Sequence, residues 1–222
     1  IKKMILDKTA RNAKRFGAKF PEGTVNGIYN ILEKPNWVGG FYTGINYLSY
    51  DLSGDKEYLE NAIKPSAALK YILYNEAGHY SHDLGFTFML SYYKDYLITG
   101  SEESKKVVID AANVLMDRIR PLGYIQAWNV WGRSEFAQQN LYRMIVDSMC
   151  TIDILFTATK LTGDQKYYDA AVKHAKLTQK YLIREDYTTT HTFVFDKDGN
   201  PKYQQQFQGF SDTSCWARGH AW

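Results

Sequence analysis

The 222-residue sequence predicts an all-α fold of αα-hairpins arranged as an α/α barrel or toroid. Three observations carry that expectation. Helix-length stretches alternate with loops along most of the chain. Three breaks of one chemistry, Ser53-Gly54-Asp55, Thr99-Gly100-Ser101 and Thr162-Gly163-Asp164, each split a pair of such stretches. The stretch before the third break is also far more apolar than the one after it. In each break glycine stops one helix and Ser or Asp caps the next, and a repeated unit of this kind signals an array.

Residues 3–16 read as a first helix, followed by a loop through Pro21, Gly23 and Gly27. A helix-like run leads from Asn36-Trp37-Val38-Gly39-Gly40-Phe41 to about Asp51, and residues 55–74 are its partner. Residues 83–98, rich in rings and aliphatics, pair with the charged amphipathic stretch 102–119, which Pro121 stops. An aromatic loop, 121–142, carries Trp128 and Trp131. The third pair is 143–161 with 164–184. The first of these is apolar on nearly every face and is expected to be buried all round. The second has a narrow stripe of Tyr168, Ala171, Ala175 and Leu182. Thr189 to Phe195 then alternates, Asp198-Gly199-Asn200 turns, and Tyr203 to Phe207 alternates back. This predicts an inserted β-hairpin near 188–208.

The pairs have a polarity. The buried helix comes first, a short break joins it to the outer helix, and the long loops return from outer to inner. Those loops therefore gather at one mouth, where inner helices begin. A closed ring of six pairs at ~50–60 residues each needs more than ~300 residues by ordinary helix and loop lengths. The sequence holds about three and a half pairs. Residues 1–222 are thus expected to form one α/α-toroid catalytic domain, truncated at its C-terminal end.

Composition narrows the function. A net charge of +3 without a basic block argues against nucleic acid or a membrane surface as the main partner. No apolar stretch reaches the ~18–20 residues of a transmembrane span. Cys150 and Cys215 are too few for a disulfide framework and lack metal-ligand spacing. No metal site, phosphate loop or dinucleotide fingerprint is visible, so no cofactor is expected. No signal peptide is visible, which points to the cytoplasm. The chain starts at Ile1 rather than Met; removal of an upstream signal peptide is the alternative reading, and it would give a periplasmic location. Oligomeric state is not legible. The 18 Tyr, 5 Trp and 11 Phe exceed what a core of this size needs. Such rings line carbohydrate clefts, or serve as amphipathic packing between helices.

The predicted polarity collects Trp37, Phe41, His82, Asp83, Trp128, Trp131, Asp147, His191, Gln208, Ser211, Arg218 and Trp222 near one mouth. Rings for stacking, an arginine for an anion and paired carboxylates suit a site acting on an acidic sugar. Helix N-termini facing that mouth would favour a carboxylate as well. Each residue also has a plainer role. Asp83 can be an N-cap. Asp147, inside Met144-Ile145-Val146-Asp147-Ser148-Met149, costs several kcal/mol of desolvation unless compensated, and Arg143 or Arg133 can be its partner. His82 and His191 can be hydrogen-bonded packing residues, Arg218 can pair with Asp212, and Trp37 and Trp131 can be core.

Four stretches carry a resemblance to a known family: His82-Asp83-Leu84-Gly85-Phe86, Val146-Asp147-Ser148-Met149, the run from Trp37 to Phe41, and Trp216-Ala217-Arg218-Gly219-His220-Ala221-Trp222. They resemble the unsaturated glucuronyl hydrolases of glycoside hydrolase family 88, from about Trp37 to Trp222. His220 departs from the pattern, where Gln is expected; this alters the cleft edge and leaves the chemistry in place. The resemblance implies a six-hairpin toroid. It also implies an unsaturated uronyl oligosaccharide substrate, whose C4=C5 bond is hydrated to release the terminal uronic acid. Asp147 would be the general acid/base and Asp83 its partner, holding substrate hydroxyls. Trp37 and Trp222 would stack, and His191, Gln208 and Arg218 would hydrogen-bond the uronate. Two other readings stay open: a rhamnogalacturonyl hydrolase acting on pectin fragments, and a non-catalytic glycan-binding toroid.

Overall fold

The computed structural model describes residues 1–76 and 78–222. The chain is mostly helical, with two small antiparallel sheets. It divides into two compact units, Ile1–Tyr80 with Phe86–Ala111, and Ser81–Gly85 with Ala112–Trp222. Among the described residues no helix is long and apolar enough to cross a membrane.

In the first unit, α1 (Lys2–Phe16) buries Thr9, Ala13 and Phe16, one turn apart along a single face. A hairpin of β1 (Phe20–Val25) and β2 (Ile28–Leu32) follows, pairing Phe20 with Leu32 and Val25 with Ile28. The expected loop through Pro21, Gly23 and Gly27 is therefore a β-hairpin. Its turn is Asn26-Gly27, both at positive φ, the type I′ chemistry that suits a two-residue connection. Pro21, Gly23 and a largely solvent-facing surface hide the alternation in the sequence.

α2 (Gly39–Ser53) and α3 (Lys56–Asn75) form the first helical hairpin. α3 buries Tyr58, Ala62, Pro65, Ser66, Leu69, Ile72 and Leu73. Residues 84–99 run as α4 (Leu84–Phe88), a π-helical turn (Met89–Tyr93) and α5 (Lys94–Thr99), and α6 (Glu102–Met116) completes the second hairpin. The extra residue of a π-turn shifts the faces on either side of it. α6 ends before the expected residue 119, and Ile119 instead bridges Ile125.

The three repeated breaks share one wiring. Gly54, Gly100 and Gly163 adopt the left-handed conformation, which glycine occupies without strain. The preceding hydroxyl bonds back to the helix and also accepts the N–H two residues on. Ser53 Oγ does so between Ser49 O and Asp55 N, Thr99 Oγ1 between Asp95 O and Ser101 N, and Thr162 Oγ1 between Ala158 O and Asp164 N. Asp55 and Asp164 then cap the next helix by accepting from Glu57 N and Lys166 N.

In the second unit, α7 (Glu135–Gln139) and a 3-10 turn (Asn140–Tyr142) lead into β3 (Arg143–Ile145). α8 (Ser148–Thr151), α9 (Asp153–Thr162) and α10 (Gln165–Tyr181) come next, then β4 (Thr192–Phe195), β5 (Pro201–Gln205) and α11 (Ala217–Ala221). The predicted hairpin is β4–β5, and β3 adds a third strand by pairing Met144 with Phe193. Residues 143–145 are thus a strand, not the start of a helix running to 161. An apolar run buried on both faces does not distinguish the two states by periodicity, and Arg143, Met144 and Ile145 are all buried.

The buried stripe of α10 is Tyr167, Ala171, His174 and Thr178, rotated by about one position from the expected Tyr168 face. The polar His174 belongs inside because Ile125 N–H donates to its Nδ1. Tyr168 is 45% exposed and packs edge-on against Phe156. The unit's core joins Tyr124, Met144, Val146, Leu182, Phe193 and Phe195, with the Tyr124 and Phe195 rings stacked 4.6 Å apart.

Candidate active site

Strand β3 ends at Ile145 and α8 starts at Ser148, so Asp147 sits on the joint between them. Val146 N–H donates to His191 O, which ties this joint to the residue just before β4. Asp147 stands at the N-cap position of α8 with helical φ and ψ, and its side chain makes no cap hydrogen bond. The carboxylate is therefore spent neither on capping nor on Arg143. The guanidinium of Arg143 bonds Asn140, Thr192, Gln205 and Gln139 instead.

Asp147 is 7% exposed, and its Oδ2 has no hydrogen-bond partner. Burial pushes its pKa above the usual carboxylate value; His82 opposes this, Asp83 adds to it and Arg218 opposes it, with a net upward result. His191 Nε2 faces Asp147 Oδ2 at 3.6 Å, long for a hydrogen bond. His191 Nδ1 accepts from both Phe207 N–H and Gln208 N–H, at 3.1 and 3.2 Å. A nitrogen that accepts carries no proton, so the neutral ring bears its proton on Nε2, toward Asp147. Burial, with His82, Arg143 and Arg218, depresses the His191 pKa to about 3. The pair is thus a neutral donor facing a carboxyl group rather than an ion pair.

His82 is 1% exposed, with Nδ1 3.2 Å from Ala127 O and Nε2 3.3 Å from Asp83 Oδ1. Ser81 Oγ donates to Asp83 Oδ2 at 2.6 Å. Arg118 donates to the same Ala127 carbonyl, and to Gln126 O and Asn129 Oδ1. Burial, with Arg120, lowers its guanidinium pKa to about 10, and Asp83 opposes this. Gly85, two residues after Asp83, lies against the backbone of Thr151 in α8: a Cβ there would come within 2.4 Å of Thr151 Cα and O. Close approach at Gly85 therefore draws the Asp83 turn against the helix that Asp147 begins.

Rings surround these groups. Trp128 meets His82, His191, Trp131, Phe136 and Phe207, with centroids 5.1–6.5 Å apart. Trp216 lies 4.6 Å from the His191 ring, and the Arg218 guanidinium sits over Trp216 at 4.5 Å. Arg218 also donates to the Gln208 side chain. Trp222 accepts at its carbonyl from Cys150 Sγ, in α8.

Asp83, His82, Asp147, His191, Trp128, Trp131, Gln208 and Arg218 are thus linked through contacts in one unit. Ser211 spends its N–H and hydroxyl on its own turn with Ser214 and Thr213 and makes no hydrogen bond to the other candidates. Trp37 and Phe41 belong to the first unit, where they form a ring triad with Phe86 at 5.6–5.8 Å. Among the described residues no three His, Cys, Asp or Glu side chains converge as a metal-ligating group.

A profile of Glycosyl Hydrolase Family 88 matches residues 9–222. The chain belongs to this family. It is 36% identical over 217 residues to the unsaturated glucuronyl hydrolase of Bacillus sp. (strain GL1), covering 96% of this chain and 56% of the relative. It is 36% identical over 214 residues to the unsaturated chondroitin disaccharide hydrolase of Streptococcus agalactiae serotype III (strain NEM316), covering 95% and 52%. The crystal structure of the Bacillus sp. GL1 unsaturated glucuronyl hydrolase, responsible for the degradation of glycosaminoglycan, superposes with a TM-score of 0.87 at 36% identity. That superposition covers 97% of this chain and 57% of the other. The chain spans about half the length of the curated relatives it matches.

Within this family 88 chain, several residues that shape the site escape the sequence reading. Trp216 stands inside the quoted Trp216-to-Trp222 motif, yet only the fold places its ring on His191. Phe136 and Phe207 stack on each other at 5.3 Å and on Trp128, from segments far apart in sequence. Arg118 reads as the charged end of a surface helix, and the turn at 117–127 leaves it half-buried.

Proposed function

We propose that the protein containing this chain hydrates the C4=C5 bond of a 4,5-unsaturated uronic acid at the non-reducing end of a lyase-generated oligosaccharide, releasing that uronic acid. The observation that carries this reading is Asp147: a buried carboxyl whose pKa is raised, beside Asp83 and opposite a neutral His191 N–H. A carboxyl that keeps its proton at mildly acidic pH suits a general acid.

The substrate is a vinyl ether. Asp147 gives its proton to C4, leaving an oxocarbenium-like centre over C5 and the ring oxygen. The carboxylate so formed takes a proton from water as the water oxygen bonds to C5. The hemiketal opens to the keto form and expels the neighbouring sugar as its alcohol; the net change is addition of one water. Asp83 holds substrate hydroxyls and keeps the pKa of Asp147 high, and its charge stabilises the cationic centre. His191, Gln208 and Arg218 bind the uronate, and Ser211 belongs to the same subsite. Trp37, Phe41, Trp128, Trp131 and Trp222 supply stacking faces, and His82 orients Asp83. The helical hairpins are read as part of a six-hairpin α/α toroid, with residues 1–222 as the N-terminal portion of one catalytic domain.

Two relatives carry names that refer to glucuronyl and chondroitin disaccharide substrates, which favours a glycosaminoglycan-type uronan over a pectin fragment. Unsaturated uronyl disaccharides absorb in the ultraviolet through C4=C5. The full-length protein is expected to bleach that absorbance, and Asp147→Asn to abolish the bleaching. Unchanged absorbance across several chondroitin-, hyaluronan- and heparin-derived disaccharides would sink the proposal.

A further inference from the structure

We propose that Arg143 is a positioning residue that fixes His191 as a neutral Nε2–H donor facing Asp147. Arg143 opens β3 and is fully buried. Its partners are all neutral. Nε donates to Asn140 Oδ1 at 3.0 Å, Nη1 to Thr192 Oγ1 at 2.9 Å and Gln205 Oε1 at 2.7 Å, and Nη2 to Gln139 Oε1 at 3.3 Å. The Phe136 ring covers the guanidinium at 4.3 Å. A buried cation with no carboxylate partner costs several kcal/mol that an apolar side chain of similar volume avoids. Packing alone does not account for an arginine here.

Its placement does. Thr192 directly follows His191, so one arm of the fork anchors the strand that carries the ring. Gln205 ends β5, two residues before Phe207, and the N–H groups of Phe207 and Gln208 both reach His191 Nδ1. Another bond thus holds the segment that dictates the tautomer, and Thr192 Oγ1 closes the clip by donating to Gln205 O at 2.9 Å. The charge acts in the same sense. The charged and titratable groups acting on His191 are Asp147, His82, Arg143 and Arg218; the three cationic or basic ones disfavour a second proton on the ring. A protonated His191 would pair with the Asp147 carboxylate, favour its ionised form and deprive it of the proton the reaction needs.

The test uses full-length protein with 15N-labelled histidine, read by NMR across pH. Wild type should show His191 as the pure Nε2–H tautomer. Arg143→Met should admit the Nδ1–H tautomer and raise the pH at which the ring titrates. Arg143→Lys, which keeps the charge and loses the fork, should admit the second tautomer while the titration stays low. Gln205→Leu leaves Arg143 in place and should also admit the second tautomer, so it decides the matter should Arg143→Met not fold. An unchanged tautomer and titration in folded Arg143→Met, or an unchanged tautomer in Gln205→Leu, overturns the proposal. The kinetic arm rests on the hydration reading: Arg143→Lys should lower kcat about tenfold to a hundredfold with little change in KM. Failure of that reading silences the kinetic arm and leaves the NMR arm intact.

Discussion

The two compact units treat buried polar groups differently. In the first, such groups are largely consumed by nearby structure. Thr43, Asn46, Ser66 and Ser91 return hydrogen bonds to carbonyls three or four residues back in their own helical segments. Tyr80 and Tyr92 donate to Leu69 O and Ser66 O, and Asp95 accepts from Tyr47, Ser104 and Thr99. Among the described residues there, only Asn46 Oδ1 and Ser49 Oγ stay buried without an aligned partner. Among the described residues of the second unit Asp147 Oδ2, His191 Nε2, His82 Nε2, Ser148 Oγ, Thr190 Oγ1, Gln206 Oε1 and Arg120 Nε all do. Each such atom costs about 1–3 kcal/mol. Four of these seven belong to Asp147, its neighbour Ser148 and the two histidines beside the carboxylates. Unmet buried polar groups concentrate at functional sites, and these surround the site proposed above.

The largest expected effect tests this contrast directly. On the hydration reading, Asp147→Asn should lower turnover by about 10²–10⁴ with the fold intact, because it would remove the proposed proton carrier. Asp95→Asn removes an acid that is equally enclosed but hydrogen-bonded throughout. It should lower stability by about 1–3 kcal/mol and leave kcat per folded molecule unchanged. Measuring kcat and urea midpoints for both variants checks the pair. Comparable loss of kcat in Asp95→Asn would erase the distinction between the units.

Acid should act mainly on the second unit. His174 is fully buried with its Nδ1 accepting from Ile125 N–H, and burial, with a smaller contribution from His82, depresses its pKa to about 3. The unfolded ring binds a proton near pH 6.5 and the folded ring does not until about pH 3. Folded stability is therefore full above pH 6.5 and falls as pH drops through that window. His174→Asn keeps an acceptor for Ile125 N–H and removes the titration. The variant should recover on the order of a few kcal/mol relative to wild type at pH 4, read as a shallower acid unfolding curve.

Much of this was legible in the sequence, for identifiable reasons. The three breaks are local devices, a hydroxyl, a glycine and a cap within three residues, so pattern reading finds them. The β4–β5 hairpin alternates and carries a Gly199 turn. Asp147 stood out because a carboxylate in an apolar run demands an explanation whatever the secondary structure. What escaped depends on tertiary context. β3 is three buried residues without a period of their own, and only β4 makes them a strand. The α10 stripe reads one position off in the sequence because His174 looks polar until Ile125 N–H meets it. Arg143 reads in the sequence as a partner for Asp147, and its acceptors come from the 139–140 turn, β4 and β5. The Trp128 cluster draws on residues 82, 131, 136, 191 and 207, a convergence that no single stretch displays.

A smaller effect is expected at Gly85. Its missing Cβ lets α4 begin against the Thr151 backbone, and backbone cannot swing away as a side chain tip can. Gly85→Ala should cost about 1–3 kcal/mol through overpacking. Because Asp83 is two residues away, kcat should fall as well, in contrast to Asp95→Asn. Thermal unfolding and initial rates on one preparation separate the two effects.

The smallest expected effect is also the sharpest on sign. The folded-state pKa of Asp147 is raised above its unfolded value, so the native state holds its proton where the unfolded chain has lost it. Its contribution is neutral below about pH 3.8, where both states are protonated, and grows unfavourable as pH rises through the folded pKa. Asp147→Asn removes that penalty. The variant should therefore melt higher than wild type at pH 7, by about 2–4 °C for each kcal/mol relieved, and the gap should close as pH falls toward 4. A buried carboxylate kept for structure would behave in the opposite way, its removal lowering Tm most at neutral pH, where its ionised partners are engaged.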